Sequence, residues 1–66
     1  MTVDLTPLEK EVMQLLIEGY NARDILDWLG IDYIEYLKTK NNILRKLEIN
    51  RVTQILPKAI ELGLFK

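Results

Sequence analysis

The amino-acid sequence predicts an all-α fold of four helices in one domain spanning residues 1–66. Three observations carry this expectation. Only five of the 66 residues are Gly or Pro and 48% are hydrophobic, a globular composition rather than a disordered or fibrous one. The apolar residues recur at helical spacing. Capping signatures and glycines divide them into four segments with short connections.

The first helix opens at Thr6-Pro7-Leu8-Glu9. Thr6 can cap the free N–H groups, Pro7 suits the first helical position, and Glu9 can reach back to complete a capping box. Leu8, Val12, Leu15 and Leu16 form an apolar stripe widened by Met13, Ile17 and Tyr20, and Gly19 ends the helix as a left-handed cap. Its acids, Glu9, Glu11 and Glu18, read as a solvated face. Asn21 caps a second, shorter helix that carries Ile25, Leu26 and Leu29 and stops at Gly30. Trp28 on that helix reads as a partly buried packing residue. The link Gly30-Ile31 leads to Asp32, which forms a second capping-box pattern with Glu35.

The third helix is expected to be the longest, from about Tyr33 to Leu47. Its apolar positions are Ile34, Leu37, Ile43, Leu44 and Leu47, with Tyr33 and Tyr36 near its start. Lys38-Thr39-Lys40-Asn41-Asn42 puts five polar residues in its middle, so that turn should face something polar. Asn50 or Thr53 caps a final helix with Ile55, Leu56, Ala59, Ile60 and Leu62, ended by Gly63. Pro57 lacks the N–H that would bond to the Thr53 carbonyl. This helix therefore either starts late, with Thr53 as its cap and Pro57 in the first turn, or kinks there.

Composition also narrows function. The chain has no His, Cys or Ser, which removes the usual nucleophiles, the commonest general base and the commonest metal ligand. Four short helices enclose little cleft in which two carboxylates could face each other. Catalysis, a cofactor and a metal site are not expected. Charges interrupt every apolar run before the ~20 residues a membrane helix needs. Asp4, Glu9 and Glu11 lie where the apolar segment of a signal peptide would be. A cytoplasmic location without a membrane partner fits best.

Net charge is −1, but it is unevenly spread. Residues 1–35 carry two basic and eight acidic side chains, a balance of −6, and residues 36–66 carry seven basic and two acidic, a balance of +5. Such asymmetry either marks a face for polyanions or lets the helices neutralise one another where they pack. Two helices joined by a tight glycine turn, the second long and basic in its middle, is the helix-turn-helix arrangement. The longer helix would lie in the major groove of duplex DNA. Helix starts at Asn21 and Asp32 would aim backbone N–H groups outward, as phosphate binding requires.

Longer strings add a resemblance. Leu5-Thr6-Pro7-Leu8-Glu9-Lys10-Glu11-Val12 is similar to the opening of LuxR-type DNA-binding domains of bacterial transcription regulators. Glu18-Gly19-Tyr20, Arg23-Asp24-Ile25 and Leu29-Gly30-Ile31 resemble that family's first turn and second helix. Asn42-Ile43-Leu44-Arg45-Lys46-Leu47 resembles the end of its recognition helix. Thr53-Gln54 and Lys58-Ala59-Ile60-Glu61-Leu62-Gly63-Leu64 resemble its last helix. The resemblance implies a four-helix LuxR-type helix-turn-helix domain, alone or as the output part of a longer regulator. It also implies double-stranded DNA as partner and a homodimer through the fourth helix, which Pro57 would weaken. The DNA-binding candidates are Arg23, Tyr36, Leu37, Lys38, Lys40, Asn41, Arg45 and Lys46.

Several positions depart from the family pattern. Glu35 stands in place of a hydroxyl and Leu37 in place of a cation. Ala22 replaces an Asn, Glu48 a Gly and Val52 an Arg, and Trp28 takes a position commonly polar or basic. Each change loses polarity or positive charge, or adds negative charge. At 100° per residue the third helix offers two candidate faces. One is Lys38, Asn41, Asn42 and Arg45; the other, favoured by the resemblance, is Tyr33, Tyr36, Leu37 and Lys40. The alternative function is a protein-interaction module that keeps the fold and meets a protein partner through Trp28, Tyr36 and Leu37.

Overall fold

The computed structural model describes residues 4–63, and Leu64 of the last family-like string lies outside them. Four α-helices follow in order: α1 (Pro7–Ile17), α2 (Ala22–Leu29), α3 (Tyr33–Lys46) and α4 (Ile55–Glu61), the last preceded by a 3-10 turn at Val52–Gln54. No described residue forms a strand. The all-α expectation holds.

Local chemistry accounts for the helix ends. Thr6 and Glu9 form the full capping box: the Glu9 N–H donates to Thr6 Oγ1 at 3.1 Å, and the Thr6 N–H donates to Glu9 Oε1 at 3.0 Å. Asn21 and Asp32 cap α2 and α3 by accepting from the N–H groups of Asp24 and Glu35, at 2.9 and 2.7 Å. The second capping box is only half made. Asp32 caps, but the Glu35 side chain makes no bond back to the Asp32 N–H.

Each helix ends in a left-handed residue: Gly19, Gly30, Glu48 and Gly63. After α1 the Gly19 N–H bonds to the Leu16 carbonyl and the Tyr20 N–H to the Leu15 carbonyl, both at 3.1 Å. After α3 the same pair of bonds runs from Glu48 to Arg45 and from Ile49 to Leu44.

Pro57 delays α4 rather than kinking it. It is the third residue of α4, where an isolated helix would leave the N–H without a partner. Neither Asn50 nor Thr53 acts as the cap. Thr53 lies inside the 3-10 turn, and the α4 cap is Gln54. The Gln54 Oε1 instead accepts from the Asn50 and Arg51 N–H groups, at 3.0 and 3.2 Å.

α3 packs across α1 and against α2, while α4 closes on α1. Their shared core is Leu5, Val12, Met13, Ile25, Tyr36, Ile43, Leu47, Ile55 and Ala59. Some expected core positions face outward: Ile34 is 65% exposed, and Leu56 and Ile60 are exposed as well. Two further expectations reverse. Trp28 is 78% exposed, not a packing residue, and Glu9 is 4% exposed, not part of a solvated face.

Glu9 is buried because it is answered. Its Oε1 accepts from Lys46 Nζ at 2.7 Å and from the Thr6 N–H, and Lys46 Nζ also donates to the Asp4 carbonyl at 2.9 Å. Burial alone would raise the Glu9 carboxyl. The Lys46 hydrogen bond and charge, with the Thr6 bonds, outweigh it and hold Glu9 below the usual carboxylate range. Among the described residues no buried side-chain N or O lacks a partner. None of their helices is long and apolar enough to cross a membrane.

Candidate nucleic-acid interface

Three residues, Gly30-Ile31-Asp32, join α2 to α3. Gly30 has φ 67°, and a Cβ built on it would meet nothing within 4 Å. The turn therefore needs glycine for its backbone conformation and not for space. The Gly30 and Ile31 N–H groups both bond to the Leu26 carbonyl, at 2.9 and 3.3 Å. Ile25 is fully buried, and Leu26, Leu29 and Ile31 pack on the core around it, fixing α2 against α3.

The rotation of α3 decides which side chains face solvent. Tyr36, Thr39, Ile43 and Leu47 point into the core. Ile34, Lys38, Asn41 and Arg45 are all exposed, and at 100° per residue they fall within an arc of about 60° on the opposite side. Of the two candidate faces, the outward one is the one with Lys38, Asn41 and Arg45. Asn42, at its edge, is half-buried and accepts from Arg45 Nη2 at 2.9 Å.

The other face turns partly toward the core, with Tyr33 exposed at its edge. Tyr36 is 5% exposed and stacks on Tyr33 with ring centroids 6.1 Å apart. Burial, and then the neighbouring Tyr33, push the Tyr36 phenol up. Leu37 is half-buried against the core and Lys40 is half-buried beside it. Tyr36 is thus unavailable as an outward DNA contact, and Leu37 is only partly exposed. Tyr36 is equally unavailable to an exposed protein-binding patch with Trp28. The polar middle of α3 is also drier than expected. Thr39 is buried, and its hydroxyl donates to the Glu35 carbonyl at 2.8 Å.

The remaining candidates divide. Lys46 is engaged by Glu9 and the Asp4 carbonyl, so its role is to tie α3 to the start of α1. Arg23 is exposed in the first turn of α2. Lys38 and Arg23 make no ion pair among the described residues. Asp32 and Glu35 put two exposed carboxylates at the start of α3, which suits the positive end of the helix dipole.

The outward row has a definite chemistry. Asn41 offers a paired donor and acceptor, Arg45 a fork of donors and Lys38 a single cation. They lie on a helix whose ~10–12 Å diameter matches the major groove, about 12 Å wide. Ile34 adds an apolar surface at the row's N-terminal end. Sequence periodicity alone missed Ile34, and nothing local pointed to the Lys46–Glu9 pair, whose members are 37 residues apart. Among the described residues no group of three His, Cys, Asp or Glu side chains is placed to hold a metal. Compared with protein-family models, curated proteins and solved structures, the chain matches none of them.

Proposed function

We propose that the chain is a helix-turn-helix module of LuxR type that binds duplex DNA in the cytoplasm, with α3 in the major groove. The observation that carries this reading is the exposed row Lys38, Asn41 and Arg45 on one side of α3, held outward by the buried residues behind it. Arg45 suits the O6/N7 edge of guanine and Asn41 the N6/N7 edge of adenine, while Lys38 meets base or phosphate. Arg23, at the start of α2, adds a backbone contact. Asp32 and Glu35 repel phosphates at the N-terminal end of α3, so affinity is modest and rests on charge.

Fluorescence anisotropy with a labelled duplex at low salt tests the reading. Lys38→Ala and Arg45→Ala should each weaken binding and lower the salt slope by about one unit. Glu35→Thr should tighten binding to any duplex by about 1 kcal/mol, by removing one repulsive charge. Lys40→Ala, on the half-buried flank, should have the smaller effect. Absence of binding by the wild type and by Glu35→Thr at about 50 µM protein, where even weak non-specific contacts register, would exclude DNA as the partner.

A further inference from the structure

A groove of about 410 Å³ lies between α1 and α2, lined by Leu15, Tyr20 and Trp28 and by three acids, Glu18, Asp24 and Asp27. No basic side chain lines it. None of the three acids takes part in an ion pair among the described residues. A second depression shares Leu15 and Trp28 with the first and continues along α1 past Lys10, Glu11 and Gln14, so the acidic character belongs to the first groove alone. Trp28 therefore stands between two hollows with 78% of its surface in solvent. An indole so placed adds little to the fold and exposes a large apolar surface, the kind that anchors interfaces.

We propose that this groove docks a basic amphipathic helix of a partner protein. Apolar side chains of that helix would lie on Leu15 and Trp28, and its Lys or Arg residues would pair with Glu18, Asp24 and Asp27. A helix-in-groove contact suits a cleft between two helices, since no described residue offers a strand edge to extend. Charge complementarity selects the sign of the partner. It also disfavours a second copy as occupant: the exposed face of α3 carries Lys38 and Arg45, but Asp32 and Glu35 at its start would meet the groove's own acids. Residues of α3 do not line the groove, so the inference stands or falls apart from DNA binding.

Trp28 is the chain's one tryptophan and reports on its own site. The probe is a synthetic helix of five turns, about 18 residues, with Leu on one face and Lys on the other. A peptide with Glu in place of Lys is the control. The Lys peptide should shift Trp28 emission to the blue in a saturable, one-to-one titration, and the Glu peptide should not. By calorimetry, Trp28→Ala and the Asp24→Asn/Asp27→Asn double variant should each weaken binding at least tenfold. Circular dichroism should show both variants folded, as expected for exposed positions. Equal binding by wild type and variants, or no shift at about 100 µM peptide, well above the micromolar affinity expected of such a contact, would overturn the proposal. So would a dimer of the protein alone that shields Trp28 from a soluble quencher, since the occupant would then be a second copy.

Discussion

Glu48 ends α3 at φ 58°, the one described residue other than glycine in the left-handed region. There its Cβ crowds the backbone, at a cost of roughly 1–2 kcal/mol, part of which glycine would lose again through its freer unfolded chain. The Schellman bonds from Glu48 to Arg45 and from Ile49 to Leu44 need only the backbone. Glu48→Gly should therefore stabilise the domain by about 1 kcal/mol, raising Tm by ~4–8 °C in a chain of this size. Thermal unfolding followed by circular dichroism checks this, and an unchanged or lower Tm would mean that Glu48 makes a compensating interaction. Because the change also removes a negative charge just beyond the Lys38–Arg45 row, duplex binding should tighten slightly rather than weaken.

Most helix boundaries are legible in the sequence because they are written in a few adjacent residues; the end of α3 at Glu48 and the start of α4 after Gln54 are not. Thr6 with Glu9, then Asn21 and Asp32, mark starts, and Gly19, Gly30 and Gly63 mark stops. The outward side of α3 was not legible in the same way. Its apolar residues are spread over more than one face, so only packing against α1 and α2 sets the rotation. That packing turns Tyr36 and Thr39 inward and Ile34 outward, and the buried Thr39 hydroxyl is satisfied by a carbonyl of its own helix. Lys38, Asn41 and Arg45 were readable as one face, whereas the burial of Tyr36, the packing of Leu37 and the engagement of Lys46 were not. α4 carries a further consequence of local sequence. Pro57 delays its start, leaving seven residues and a length of about 10 Å, with Leu56 and Ile60 exposed one turn apart. That surface is far below the ~800 Å² per partner of a stable interface. Sedimentation should find a predominantly monomeric protein at about 10 µM, a concentration at which micromolar dimers populate. A tight dimer there would mean that contacts beyond α4 take part.

Across the whole molecule, among the described residues, the acidic first half and basic second half meet at a part-buried ion pair, where Lys46 holds Glu9 and the Asp4 carbonyl. Lys46→Ala would leave a buried carboxylate with only the Thr6 N–H, and should destabilise the domain by about 2 kcal/mol in urea titration. Glu9→Gln keeps an oxygen for Thr6 and Lys46, and should cost about half as much. Because the folded-state pKa of Glu9 is depressed, its stabilisation is present above the unfolded carboxylate value. It is lost as pH falls through the lower, folded one. The stability gap between wild type and Glu9→Gln should be full at neutral pH and close below about pH 4.5. A gap that does not shrink as pH falls below that value would show that the Glu9 charge is not its source. The same contact bears on the lifetime of the folded state. α2 and α3 meet across a three-residue turn, but Lys46 reaches Glu9 only after 37 residues have been brought together. If a contact of that span forms after the folding barrier is crossed, its loss falls mainly on escape from the native state. Stopped-flow measurements on Lys46→Ala should show an almost unchanged folding rate and unfolding faster by roughly thirtyfold, the kinetic equivalent of 2 kcal/mol. One lysine would thus govern how long the domain stays folded and leave how quickly it forms to the helices.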